Sequence, residues 1–170
     1  IQDNNPDIMF VSHENVGVLK SIDGGNTFNL LNNGIPTTDV NFISIDQCRS
    51  QPDVLYASVT RLSNVGLHGV YKSIDNGASW TQLSSAPEAF CTTSSLGTFC
   101  QGWYNNTIGV SADDPDVVLF GGTTFWLSDD GGSTWTQKDR SSCTSCGDTP
   151  ACTTYVDHHD IGFDPHNSGT

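Results

Sequence analysis

This sequence predicts an all-β fold built from a repeated four-stranded antiparallel unit, and three observations carry the prediction. Apolar residues alternate, or cluster in runs of four to six bounded by Gly, Pro, Asn and Asp, and no segment holds a helical i, i+3, i+4, i+7 pattern over ten residues. Of the 19 acidic residues only Glu14 and Glu88 are Glu, and there are 17 Gly, a composition of turns and caps rather than of helix interiors. Finally, the chain repeats itself.

Three segments share the pattern Ser-x-Asp-x-Gly-x-(Thr/Ser)-aromatic, here called boxes: residues 21–28, 73–80 and 128–135. Their aspartates, Asp23, Asp75 and Asp130, stand 52 and 55 residues apart. Upstream of each box lies a second marker: Pro6-Asp7-Ile8-Met9-Phe10, Pro52-Asp53-Val54-Leu55-Tyr56 and Pro115-Asp116-Val117-Val118-Leu119-Phe120. A further copy begins at Phe163-Asp164-Pro165, giving approximate units 1–40, 41–105, 106–155 and 156–170. In the second unit the alternation predicts strand A at 41–46, B at 54–60, C at 69–74 and D at 80–83. Four antiparallel strands in about fifty residues is the blade of a β-propeller.

The boxes resemble the Asp-box (BNR) repeats of β-propellers found in sialidases, sortilin-type receptors, xyloglucanases and secreted bacterial proteins. The stretch from Gly102-Trp103-Tyr104-Asn105-Asn106 to Val156-Asp157-His158-His159-Asp160 is most similar to the secreted bacterial group. The resemblance implies a turn-forming role for Ser21, Asp23, Gly25 and Phe28, for Ser73, Asp75, Gly77 and Trp80, and for Ser128, Asp130, Gly132 and Trp135. In that role the Ser and Asp side chains accept amide hydrogens of a tight C-to-D turn, Gly supplies a positive φ, and the ring covers the blade edge. An EF-hand reading of Asp129-Asp130-Gly131 fails, because no bidentate Glu closes the loop.

Propeller topology places the A-B and C-D turns at one end and the B-C and D-A loops at the other, where ligands usually bind. The long connections here are 61–68, 84–104 and 138–155, so the loop end is the elaborated one. Aligning the A strands on Ile43/Ile45, Ile108/Val110 and Ile161/Phe163 sets Asn41, Asn106 and His159 at equivalent positions, with Asp39, Tyr104 and Asp157 two residues earlier. The expected ligand-binding residues are therefore Trp103, Tyr104, Asn105, Asp157 and His159. Period-2 alternation puts Asp157 and His159 on one face and His158 and Asp160 on the other. A divalent cation such as calcium would use Asp157 and His159, with further ligands from outside this chain.

The formal charge is −13, with 6 Lys+Arg against 19 Asp+Glu, which excludes nucleic acid and anionic membrane surfaces as partners. No apolar run approaches the roughly 18–20 residues of a membrane span. The chain opens at Ile1 with neither an initiator Met nor a signal peptide, which predicts a processed chain or a piece of a longer one. The six cysteines point to an extracellular, cell-surface or periplasmic setting, since Cys143-x-x-Cys146 has no second pair for a zinc knuckle. Cys91 and Cys100 flank one D-A loop and are expected to be bonded, with one further pair among Cys143, Cys146 and Cys152; Cys48, in an A-B turn at the opposite end, is expected to pair outside the chain if at all. Asn105-Asn106-Thr107 is a glycosylation sequon, meaningful in a eukaryotic source.

Two functions stay open. One is a noncatalytic module that binds glycan, protein or neighbouring subunits, its partners including the remaining blades of a larger propeller. The other is a fragment of a secreted glycoside hydrolase, sialidase- or xyloglucanase-like, whose catalytic residues lie mostly outside this chain. The resemblance weakens the second. Arg49, Arg61 and Arg140 lack the Arg-Ile-Pro context of a sialidase, and the loops before strand C lack the Asp-containing motif of xyloglucanases.

Overall fold

The computed structural model describes residues 2, 5–138 and 158–163. Thirteen strands and no helix occur among them. The first sheet joins β1 (Met9–His13), β2 (Gly17–Ser21) and β3 (Asn29–Leu30). The second joins β4 (Val40–Gln47), β5 (Leu55–Arg61), β6 (Leu67–Ser73) and β7 (Thr81–Leu83). A hairpin of β8 (Cys91–Ser94) and β9 (Gly97–Cys100) follows. The third large sheet joins β10 (Thr107–Val110), β11 (Val118–Gly121), β12 (Phe125–Ser128) and β13 (Thr136–Gln137). Every pairing is antiparallel between strands consecutive in the chain.

Register identifies equivalent positions. The box serine pairs with Met9 in the first sheet, Leu55 in the second and Val118 in the third. Strands β1, β5 and β11 thus occupy one position, and the first sheet has three strands because no counterpart of β4 or β10 precedes β1 among the described residues. The second sheet follows the predicted A to D strands within two residues at every boundary. The β8–β9 hairpin inside the 84–104 connection was not anticipated, although Thr92, Thr93, Thr98 and Phe99 around Gly97 have the composition of one.

Neither core lies within a sheet; each lies between two. Val18, Phe10 and Leu31 of the first unit meet Leu55, Ala57, Val59, Tyr71 and Trp80 of the second. Tyr56, Val70 and Leu83 of the second meet Ile108, Val110, Phe120 and Trp135 beyond it, with Phe90 between them. Strand β5 explains this: Leu55, Ala57 and Val59 face one core and Tyr56 the other, as side chains at period 2 must. A strand buried on both faces reads as a near-continuous apolar run, which is how 54–59 reads, broken only at Ser58.

The three boxes are superposable in their bonding. In the second, Ser73 Oγ accepts from the Gly77 amide at 2.9 Å and donates to Asp75 Oδ1 at 2.8 Å. Asp75 Oδ1 accepts from the Ser79 amide at 2.8 Å, and Asp75 Oδ2 from the Ser79 hydroxyl at 2.5 Å. Ser21, Asp23, Gly25 and Thr27 repeat the scheme, as do Ser128, Asp130, Gly132 and Thr134. The turn needs left-handed backbone at Gly77 (φ 84°), Gly25 (φ 88°) and Gly132 (φ 89°), where a Cβ would be strained. The Pro-Asp marker belongs to the same device. The carbonyl of Asp7 accepts from the Gly24 amide, that of Asp53 from Asn76 and that of Asp116 from Gly131, at 2.9–3.1 Å.

Candidate functional site

The loop end is assembled by hydrogen bonds that tie the 61–68 connection to Asp39 on one side and to the 84–104 connection on the other. Asp39 reaches the β5–β6 loop, its carboxylate accepting from the Ser63 amide at 2.7 Å and the Ser63 hydroxyl at 2.9 Å, with Arg61 3.6 Å away. The Ser63 amide bond, more than the hydroxyl or the guanidinium, lowers the Asp39 pKa from its usual value. Glu88 accepts from the Leu67 amide at 2.9 Å and the Phe90 amide at 2.8 Å. The Gly102 amide donates to the Val65 carbonyl at 2.9 Å, and the Gln101 amide to the Phe90 carbonyl at 2.9 Å. A disulfide joins Cys91 to Cys100 across the hairpin.

On this frame the 101–104 turn exposes two rings side by side. Trp103 is 58% exposed and Tyr104 is also exposed, their centroids 5.5 Å apart. His159 stands edge-on to Tyr104 with centroids 4.4 Å apart, which extends the pair into a row of three rings. His158 points the other way, its ring 4.0 Å from that of Phe125, as alternation expects of consecutive residues. Phe99 and Leu96 on the hairpin and Leu62 on the β5–β6 loop are exposed nearby in the topology, at the same end of the sheets.

The remaining expected residues sit differently. Asn105 is fully buried, directly beneath the exposed pair in sequence, and Gly122 lies so close that a Cβ there would meet the Asn105 carbonyl oxygen at 2.3 Å. Its side chain offers no outward surface for a sugar or a ligand. Asn106, placed by strand alignment at the channel mouth, is also buried; it bonds the Ser58 hydroxyl, and its amide donates to the Ser58 carbonyl at 3.0 Å. It therefore ties β10 to β5. Polarity in the sequence suggested exposure, but a polar side chain bonded to a neighbouring strand is stable inside. Asp157 lies outside the described residues, as do Cys143, Cys146, Cys152 and Arg140. Among the described residues no group of three His, Cys, Asp or Glu is arranged to hold a metal ion.

At the opposite end the box carboxylates are exposed yet saturated with donors. Hydrogen bonds from the Thr27 hydroxyl and amide hold Asp23 at a pKa of about 2, and those from Thr134 hold Asp130 at about 2. Asp75 is lowered by Ser79 in the same way. Cys48 is fully buried, its Sγ 3.6 Å from the Ala112 carbonyl oxygen, and its thiol is unbonded to another cysteine, against the expectation of pairing outside the chain. A cavity of about 170 Å³ beside it is lined by Phe10, Ile45, Asp46, Gln47, Arg49 and Leu55 among others.

Comparison with known proteins fixes the class of fold. No family model matches the chain, and no curated protein matches it by sequence. Solved structures do match. A GH74 xyloglucanase from Xanthomonas campestris aligns at TM-score 0.54 and 19% identity, over 81% of this chain and 22% of its own. An ancestral GH74 enzyme aligns at TM-score 0.55 and 16% identity, over 82% of this chain and 18% of its own. YCF48, solved bound to D1 peptide, aligns at TM-score 0.52 and 15% identity, over 78% of this chain and 37% of its own. All are β-propeller proteins, and at these identities the likeness is one of fold. The chain is built of β-propeller blades, and spans well under half the length of each of these relatives.

Proposed function

We propose that this chain is a noncatalytic binding segment of a secreted or cell-surface β-propeller protein, its boxes belonging to the Asp-box class and its units running approximately 1–40, 41–105, 106–155 and 156–170. The loop end takes the partner, a glycan, a protein or a neighbouring subunit, through Trp103, Tyr104 and His159, together with Asp157, two residues before His159 in the sequence. The observation that carries the reading is the row of rings at Trp103, Tyr104 and His159, the first two held outward on a turn whose backbone is bonded to Val65 of the β5–β6 loop and to Phe90. Exposed aromatic rings on a stiff support lose little entropy when they meet a sugar face or an apolar anchor. The Cys91–Cys100 bond supports the oxidising compartment.

Glycoside hydrolysis through these blades would need two carboxylates free to act across a bond. Asp39 and Glu88, at the loop end, are instead spent on amides of neighbouring loops, which favours the binding reading. Replacing Trp103 and His159 separately with Ala tests it. Loss of binding to a glycan or peptide array at unchanged melting temperature is the expected result; a large fall in melting temperature with binding intact would assign the rings to packing. Glycosidase activity in the isolated chain, abolished by Asp157→Asn, would overturn the noncatalytic reading. A calcium titration followed by the His159 ring resonances tests the cation at Asp157 and His159, and unmoved resonances would exclude it.

A further inference from the structure

The first sheet has a face that its two successors never leave open. Register across its strands aligns Val11 with Leu19 and Leu19 with Leu30, a continuous apolar row. The same row in the second sheet is Ala57, Tyr71 and Gln82. Ala57 is 0% exposed and Tyr71 3%, because the first sheet covers them, whereas Val11 is 42% exposed and Leu30 55%. The box rings tell the same story. Trp80 is 5% exposed, its indole Nε1 donating to the Leu31 carbonyl of the first unit at 3.2 Å, while the equivalent Phe28 is 39% exposed. Leaving such a row in water is unfavourable at about 25 cal/mol per Å².

What covers an equivalent face is visible twice. In each case the preceding sheet supplies a lysine, stacked over an aromatic ring on the neighbouring strand; Lys20 bonds the box turn of the next sheet and Lys72 the aspartate of its Pro-Asp marker. Lys20 lies 5.4 Å from the Phe10 centroid and donates to Asn76 Oδ1 at 2.5 Å. Lys72 lies 5.2 Å from the Tyr56 centroid and donates to Asp116 Oδ1 at 3.1 Å. Asp7 is the first sheet's counterpart of Asp116; it is exposed and meets no cation among the described residues. The third sheet cannot serve as the donor from a second copy. Its pair equivalent to Phe10 and Lys20 is Leu119 and Leu127, which would set a leucine against the Asp7 carboxylate.

We propose that the open face of the first sheet, with Asp7 at its end, is covered by a further blade of the same repeat, not by a second copy of these residues, and that this blade carries a Lys-Ser-x-Asp-x-Gly turn whose lysine reaches Asp7. The inference concerns the side of the propeller and is independent of what binds the loop end.

Zero-length carbodiimide coupling of the protein purified from its source, followed by peptide mass spectrometry, tests it. Lys72 and Asp116 serve as the internal reference for a lysine and carboxylate in contact. The expected product joins Asp7 to a lysine that precedes a box and is not Lys20 or Lys72. Absence of any Asp7 product when Lys72–Asp116 couples, or coupling of Asp7 to Lys20, Lys72 or Lys138 of a second copy, would overturn the proposal. In the same protein Asp7→Lys, which sets two ammonium groups together, is expected to lower the melting temperature by about 2–4 °C. Asp113→Lys, at an exposed carboxylate of the same end, is expected to leave it unchanged; equal effects would also count against the proposal.

Discussion

The two ends of the blades are made by opposite rules. At the box end three turns of nearly identical sequence adopt one hydrogen-bond scheme, and every carboxylate in it is occupied by an amide and a hydroxyl a few residues away. At the loop end no two connections are alike, bonds from Asp39 to Ser63 and from Glu88 to Leu67 join residues more than 20 positions apart, and rings are left facing water. The contrast shows why recurrence is a poor guide to function in this chain. The repeated motif is a turn that builds itself, and the variable end has the freedom to hold a partner.

Trp80 and Trp103 sharpen that comparison most. Trp80→Ala empties the core between the first and second sheets and is expected to cost about 3–5 kcal/mol in chemical denaturation. Trp103→Ala is expected to stay within about 0.5 kcal/mol, since its ring is largely in water. Equal losses at the two sites would break the division between a packing end and a presenting end. Next in size is the hairpin staple: replacing Cys91 and Cys100 together with Ala should cost about 2–4 kcal/mol, with hydrogen exchange rising over 91–100 ahead of the three large sheets.

A smaller effect is expected of Ser73→Ala, which removes the acceptor of the Gly77 amide in a buried turn, about 1–3 kcal/mol, read as a shift in denaturation midpoint. The same change at Ser128 should match it if the boxes are interchangeable. Smallest is the acid limb. Asp23 and Asp130, with pKa values of about 2 in the fold against 3.8 when unperturbed, contribute stability that is present above pH 3.8 and lost as pH falls toward 2. Asp46 works with the opposite sign. Burial raises its pKa despite amide bonds from Val110 and Gln47, so its contribution is present below pH 3.8 and declines as pH rises through its folded value. A denaturation series between pH 2 and 5 should therefore fall on the acid side in wild type, and less steeply in the double variant Asp23→Asn, Asp130→Asn.

Much of this was legible in the sequence, and what was not follows a physical pattern. The boxes could be read because turn chemistry is local: Ser73, Asp75 and Gly77 contain their own partners. Strand β5 could be read because two-sided burial writes an apolar run. The role of the Pro-Asp marker escaped, since its recurrence was plain but its acceptor carbonyl meets a box more than ten residues away. Asn106 escaped for the same reason: only β5, folded alongside, turns a polar residue into a buried one. At the loop end the sequence could single out Trp103 and Tyr104, but the edge-on contact of His159 with Tyr104 depends on a segment 55 positions away.

The placement of both cores between sheets has a consequence for how the molecule comes apart. A sheet here owns only half of any apolar layer, so none is a folding unit by itself, and the smallest stable piece is a pair. Melting should then behave like a short linear chain of coupled neighbours. A lesion in the first core, such as one at Tyr71, would loosen the first two sheets and reach the third only through the second. Cleavage in the 31–39 connection would leave the second sheet dependent on whether the severed first one stays docked, so that a nick, and not only a mutation, would register as a loss of cooperativity.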